Sequence, residues 1–198
     1  MTTRDVETPH GPARVHLHAV DAPRGALVLG HGAGGGVNAR DLEAATQAAL
    51  SEGIAVALVE QPYRVAGRRS PAPARQLDAA WIAVVESLRA SELGGLPLVV
   101  GGRSAGARVA CRTADVTGAA GVLCLAFPLK PPRGSQSRLD ELDAVTVRTL
   151  VVQGATDPFG IPPGTKLRTV VQVPGDHGLK KDPGAVTDAV RTWLHEVV

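Results

Sequence analysis

With 198 residues the chain can bury one sizeable core but is short for two, so a single domain over 1–198 is expected. Its 21 basic and 19 acidic residues leave a net charge of +2, which gives no electrostatic footprint for nucleic acid or an anionic membrane. Two cysteines, a mixed-charge N-terminus and no apolar run near the ~18 residues of a spanning helix make a cytoplasmic protein without a disulfide framework the expectation.

Residues 13–20 alternate Val15, Leu17 and Ala19 against Arg14, His16 and His18, the period of a half-exposed edge strand. Residues 25–30 are a short, continuously apolar strand. A helix follows over 38–52, with Asn38 as N-cap, Asp41 in the first turn and Gly53 as the stop. Residues 54–59 form the next buried strand, and a loop rich in Pro and Arg covers 61–73. A long amphipathic helix over 74–93 ends at Gly94-Gly95, and strand 96–101 runs into a glycine-flanked turn and a helix over 107–113. Strand 119–126, a polar loop over 127–137, strands 147–153 and 167–173 and a helix over 183–198, with Pro183 in its first turn, complete the chain. Apolar strands alternating with helices predict an α/β fold, a mostly parallel central sheet with helices on both faces. No insertion is long enough for a lid domain. Cys111 and Cys124 fall in apolar patterns and read as small buried hydrophobes.

The segment Gly30-His31-Gly32-Ala33-Gly34-Gly35-Gly36 follows the strand over 25–30 and has competing readings. Gly30, Gly32 and Gly35 match the G-x-G-x-x-G of dinucleotide folds, with Glu60 at the next strand end as the ribose acid. Against this, the helix starts at Asn38 rather than inside the motif, and Glu60 lies 30 residues after Gly30 where about 20 are expected. The second reading is a loop whose backbone N–H groups face a developing oxyanion, with His31 bracing it. A merely structural tight turn is the third.

Gly102-Arg103-Ser104-Ala105-Gly106 stands between a strand and a helix, where a sharp turn lifts a serine hydroxyl clear of the sheet. A serine needs a base, and the base a carboxylate to orient it, in the chain order Ser, acid, His for this arrangement. Asp157, past the end of strand 147–153, is the acid candidate, with Asp176 the second choice. His177, before the last helix, is the base candidate; the alternatives are a turn aspartate before Pro158 and a solvated loop histidine. His10, His16, His18 and His195 fit worse, lying in the leader, on an edge strand or at a helix C-terminus. The oxyanion donors would be the N–H of Ala105 and that of Ala33, or failing it Gly34, each worth about 2.7–4 kcal/mol in the transition state.

Taken together, His31-Gly32-Ala33-Gly34-Gly35, Gly102-Arg103-Ser104-Ala105-Gly106-Ala107-Arg108, Gln153-Gly154-Ala155-Thr156-Asp157-Pro158-Phe159-Gly160 and Gly175-Asp176-His177 resemble the α/β-hydrolase superfamily. More narrowly, the chain resembles small lidless bacterial hydrolases related to the hydrolase-like domain of a eukaryotic histone-acetyltransferase complex subunit, and dienelactone hydrolases in size. The latter use a cysteine nucleophile, where this chain has Ser104. The resemblance runs from about Gly25 to the C-terminus. It implies an α/β-hydrolase fold and a cofactor-free serine hydrolase that cleaves a small-molecule ester through an acyl-enzyme. Neither metal, nucleic acid nor membrane is implied, and a monomer or homodimer is expected. The alternative is a hydrolase fold that has lost its activity and serves as a binding module.

Arg64, Arg68 and Arg69 crowd the loop 61–73 beside Tyr63, Arg103 flanks the serine and Lys130 sits in the loop 127–137. If Arg68, Arg69 and Arg103 converge on an open cleft walled by those loops, an anionic substrate is favoured. The plainer reading is solvated surface charge.

Overall fold

The computed structural model describes residues 1–131 and 136–198, so part of the sequence-predicted loop 127–137 lies outside the described residues. Eight strands form one sheet: β1 (Thr2–Val6), β2 (Ala13–His18), β3 (Gly25–Gly30), β4 (Ile54–Glu60), β5 (Leu98–Arg103), β6 (Gly121–Leu125), β7 (Arg148–Gly154) and β8 (Arg168–Val173). Their order is β1-β2-β4-β3-β5-β6-β7-β8, with β1 and β2 antiparallel to their neighbours and every later pairing parallel. The helices are α1 (Arg40–Ser51), α2 (Pro62–Val65), α3 (Ala74–Arg89), α4 (Ala105–Thr113), α5 (Leu139–Asp143) and α6 (Pro183–Val197).

Strand side chains alternate between two cores, one on each face, as a period of two requires. Ala26 and Val28 of β3, Ala57 and Val59 of β4 and Val100 of β5 point to the side covered by α3 and α4, where Trp81 and Leu88 fill the space. Leu27 and Leu29, Val56 and Leu58, and Val99 point to the other side, against Leu42 and Ala45 of α1 and Val190 and Leu194 of α6. Burial on both faces is why β3 to β6 read as unbroken apolar runs.

Three local expectations are corrected. The mixed-charge N-terminus is a strand: β1 pairs with β2, so 13–18 is not the sheet edge. Its charges suit a solvent-facing edge, with Asp5 bonded to Arg14 at 2.8 Å and Arg4 to Glu92 at 2.8 Å. Helix α1 starts at Arg40 with Ala39 at its N-cap, not at Asn38; the N-cap makes no side-chain hydrogen bond, and within the first turn the Asp41 carboxylate takes the Leu42 N–H at 3.0 Å. The predicted loop 61–73 is interrupted by α2, four residues being too few for a helical period to show; α5 fills 139–143, for which no element was expected. Among the described residues no helix is long and apolar enough to cross a membrane.

β4 lies on one side of β3 and β5 on the other, so the strand order switches direction at β3. In open α/β sheets the crevice at the C-terminal strand ends beside such a switch is where ligands bind. Gly30 and Ser104 stand at those ends.

Candidate active site

Ser104 occupies the N-cap of α4 with φ 51° and ψ −105°, a conformation that non-glycine residues rarely adopt. The strain is held from both sides: Ser104 N–H donates to Leu125 O at 2.9 Å, and Arg108 N–H to Ser104 O at 3.2 Å. The flanking glycines are there for space. A Cβ on Gly106 would overlap Gly30 O and come within 2.9 Å of His31 O, and one on Gly102 would approach Gly106 C to 2.8 Å. The turn thus presses α4 directly onto the end of β3.

His177 faces Ser104, with Nε2 3.0 Å from Oγ, while its Nδ1 lies 2.8 Å from Asp157 Oδ2. A carboxylate can only accept, so Nδ1 carries the proton and Nε2 is free to accept from the serine hydroxyl. Asp176, the second choice, instead accepts Gly178 N–H at 2.8 Å. The loops carrying Asp157 and His177 meet because Gly154 leaves no side chain between β7 and the Gly175-Asp176 backbone. Thr156 N–H then bonds Gly175 O at 3.0 Å.

Asp157 has no exposed side-chain surface. Oδ1 accepts Phe159 N–H at 2.8 Å, and Oδ2 accepts Gln153 Nε2 at 2.8 Å beside the His177 bond. The two hydrogens of Gln153 Nε2 are shared with Phe127 O at 3.0 Å and Gly160 O at 2.9 Å as well, tying the acid's turn to the end of β6. The Phe159 ring packs edge-on against the imidazole, centroids 4.4 Å apart, and limits its rotation. Sequence reading assigned neither residue a role, although a glutamine ending a buried apolar strand was a signal for one.

The glycine-rich loop reaches the same place. His31 Nδ1 donates to Gly32 O at 2.8 Å and its Nε2 accepts Gln61 N–H at 3.1 Å, while burial pushes its pKa down. Tyr63 Oη donates to Ala33 O at 2.8 Å, fixing the Ala33–Gly34 peptide. Neither Ala33 N–H nor Ala105 N–H has a protein acceptor among the described residues, and both residues line the cleft with Ser104. Glu60 is taken up by His16, whose Nε2 lies 2.6 Å from its carboxylate.

The cleft holds about 430 Å³ and is walled by Pro71 and Ala72 on one side and Pro128 on the other. Both predicted loops therefore contribute. Arg68 and Arg69 are exposed and neither lines it; Arg68 borders a separate small depression beside Tyr63. Arg103 does line the cleft, but its guanidinium is committed elsewhere: Nε lies 2.9 Å from Asp41 Oδ2 and Nη2 donates to His177 O at 3.1 Å. The arginines that border the cleft beyond Ser104 are Arg108, Arg112 and Arg138, which sequence reading did not single out. Cys111 and Cys124 are buried, free and 3.5 Å apart at sulfur.

Residues 23–182 match a family model described as an alpha/beta hydrolase domain. No curated protein matches in sequence. Among solved structures, XC6422 from Xanthomonas campestris, described as an α/β serine hydrolase without lid, is 21% identical with a TM-score of 0.76, over 97% of this chain and 94% of that one. Est1E from Butyrivibrio proteoclasticus is 17% identical with a TM-score of 0.78 over 98% of each chain. A dienelactone hydrolase from Anabaena variabilis is 15% identical with a TM-score of 0.76, over 100% of this chain and 97% of that one. At these identities the likeness is one of fold.

Proposed function

We propose that this chain, which belongs to the alpha/beta hydrolase domain family, is a cofactor-free serine hydrolase that cleaves small-molecule esters through an acyl-enzyme. The observation that carries the reading is the continuous hydrogen-bonded array Ser104 Oγ, His177 Nε2, His177 Nδ1, Asp157 Oδ2, with spacings of 3.0 and 2.8 Å. Ser104 Oγ attacks the ester carbonyl carbon as its proton passes to His177 Nε2, and Asp157 stabilises the imidazolium so formed. The carbonyl oxygen takes up the negative charge and receives hydrogen bonds from the N–H groups of Ala33 and Ala105. Collapse breaks the bond to the alcohol, which leaves with the Nε2 proton. Water then gives its proton to Nε2, attacks the acyl carbon and releases the acid, and Ser104 regains its hydrogen.

An open cleft of this size buries little of a long acyl chain, so short-chain esters are the favoured class. A fluorophosphonate probe tests the reading. Stoichiometric labelling at Ser104, absent in Ser104→Ala, supports the hydrolase; well-folded protein that takes no label is a binding module instead.

A further inference from the structure

Helix α4 leaves Ser104 along the floor of the cleft and turns Arg108 and Arg112 toward it. At 1.5 Å per residue these lie about 6 and 12 Å from the serine along the helix axis. Both are neutralised. Arg108 holds Glu141 through Nε at 2.8 Å and Nη2 at 2.5 Å, and Arg112 holds Asp78 through Nε at 2.9 Å and Nη2 at 2.6 Å. Arg112 Nη1 also reaches Glu141 at 3.4 Å.

Arg138 is the third guanidinium on this wall and has no such partner: among the described residues no carboxylate lies within ion-pair distance of it. It is nonetheless held. Its backbone N–H donates to Leu129 O at 2.8 Å and its Nη1 to Pro128 O at 3.1 Å. Burial, and then Arg108, push its pKa down, Arg112 adds to the shift, and only Glu141 opposes them. Among the described residues three cations thus face two carboxylates, leaving one positive charge uncompensated on the wall of the cleft. Four of the five donors of Arg138 remain for a ligand. The cleft it shares with Ser104 is also lined by Pro71, Ala72, Leu77 and Pro128, which suit a short methylene or aryl spacer.

We infer that the substrate is an ester carrying a carboxylate, seated on Arg138 beside Arg108 while its carbonyl meets Ser104. One excess charge matches a carboxylate rather than a phosphate monoester, whose charge near −2 would overshoot it. The inference rests on the serine-hydrolase reading and replaces the expectation that Arg68 and Arg69 recognise the anion.

Two substrate pairs test it: 4-nitrophenyl glutarate monoester against 4-nitrophenyl pentanoate, and 4-acetoxybenzoate against its methyl ester. The first places the anion on the acyl side, the second on the alcohol side. In one pair the anionic member has the higher kcat/KM by at least about tenfold, the scale of a charge-assisted hydrogen bond. Arg138→Gln lowers that ratio about tenfold, Arg138→Lys restores part of it, and 0.5 M salt reduces it in the wild type. Because each value is a ratio within one variant, a general loss of activity cancels. Equal rates within both pairs, or a ratio unchanged in Arg138→Gln, overturn the inference. Should Arg138→Gln not fold, inhibition of pentanoate hydrolysis in the wild type decides: glutarate must compete at least tenfold better than glutaramide. Should Ser104 take no fluorophosphonate label and no ester turn over, the hydrolase reading fails separately. The anion site then stands or falls on whether glutarate, and not glutaramide, raises the melting temperature of the wild type.

Discussion

Arg103 links the buried acid of α1 to the loop of the proposed base, and replacing it separates two of its effects. The Asp41 side chain is 1% exposed, and burial raises its pKa against the pull of Arg103. Arg103→Met keeps the length of the stem and removes the charge, leaving Asp41 with only Leu42 N–H among protein partners. Removing one member of a buried pair costs about 3–5 kcal/mol. Arg103 is 20% exposed, so water reaches its end of the pair and the low end of that range, about 3 kcal/mol, is expected. In a chain of this length 1 kcal/mol moves Tm by about 2–4 °C, giving a fall of about 6–12 °C by calorimetry. The loss depends on pH in a defined direction. A carboxyl whose pKa is raised by folding holds more protons folded than unfolded, so its cost grows as pH rises from its ordinary pKa through the raised one. The deficit of Arg103→Met against the wild type is therefore smaller at pH 5 than at pH 8. Adding Asp41→Asn removes the stranded charge and restores at least half of the lost Tm. It does not restore kcat, because the His177 carbonyl still lacks its donor. A single variant melting within 2 °C of the wild type, or a double variant with full kcat, would refute this account.

Two further perturbations test the neighbourhood of Ser104. Gly106→Ala places a methyl group against Gly30 O and 2.9 Å from His31 O, backbone atoms that cannot swing aside; the upper end of the overpacking range, about 3 kcal/mol, is expected in urea unfolding. Gly36→Ala, with nothing within 4 Å of the added carbon, should stay within about 0.5 kcal/mol of the wild type and serves as its control. His31 is held neutral, its pKa lowered chiefly by burial, so the unfolded chain binds a proton that the fold resists. Wild-type stability then falls as pH drops below the unfolded pKa of about 6.5 and is unaffected by this group above it. His31→Gln, less stable at pH 8, should lose less between pH 7 and 5; parallel stability curves for the two proteins over that interval would refute the assignment.

What the sequence made legible follows from which signals are local. β3 to β6 could be read because burial on both faces makes them continuously apolar, and the elbow because its glycines are required by contacts with the neighbouring strand end. Ser104, Asp157 and His177 were legible as a set because chain order and strand ends place them at one side of the sheet, and the structure brings all three together. β1 was missed because an edge strand tolerates charge, and its partner residues 13–17 lie across a turn with no alternation of its own. The partners of Arg103 and Arg138 could not be read at all. Asp41 is 62 positions from Arg103 and joined to it only by the sheet's topology, and Arg68 and Arg69 differ from Arg108 and Arg112 in where the backbone carries them, not in composition.

A site with no lid among the described residues must have its working geometry assembled before substrate arrives, and the burial gradient here meets that need. Asp157 has no exposed side-chain surface, His177 is 18% exposed, and Ser104 opens onto the cleft. The carboxylate's bonds to Gln153, Phe159 N–H and His177 are therefore made in a dry setting, where each is stronger than in water. Closure of a loop is not needed to complete the array. The same openness removes the means by which enclosed enzymes select substrates, since an unroofed apolar wall grips a chain weakly and discriminates a methylene by only about 1–3 kcal/mol even when enclosed. Charge is then the strongest handle the cleft retains, and the uncompensated guanidinium of Arg138 is where the chain presents it.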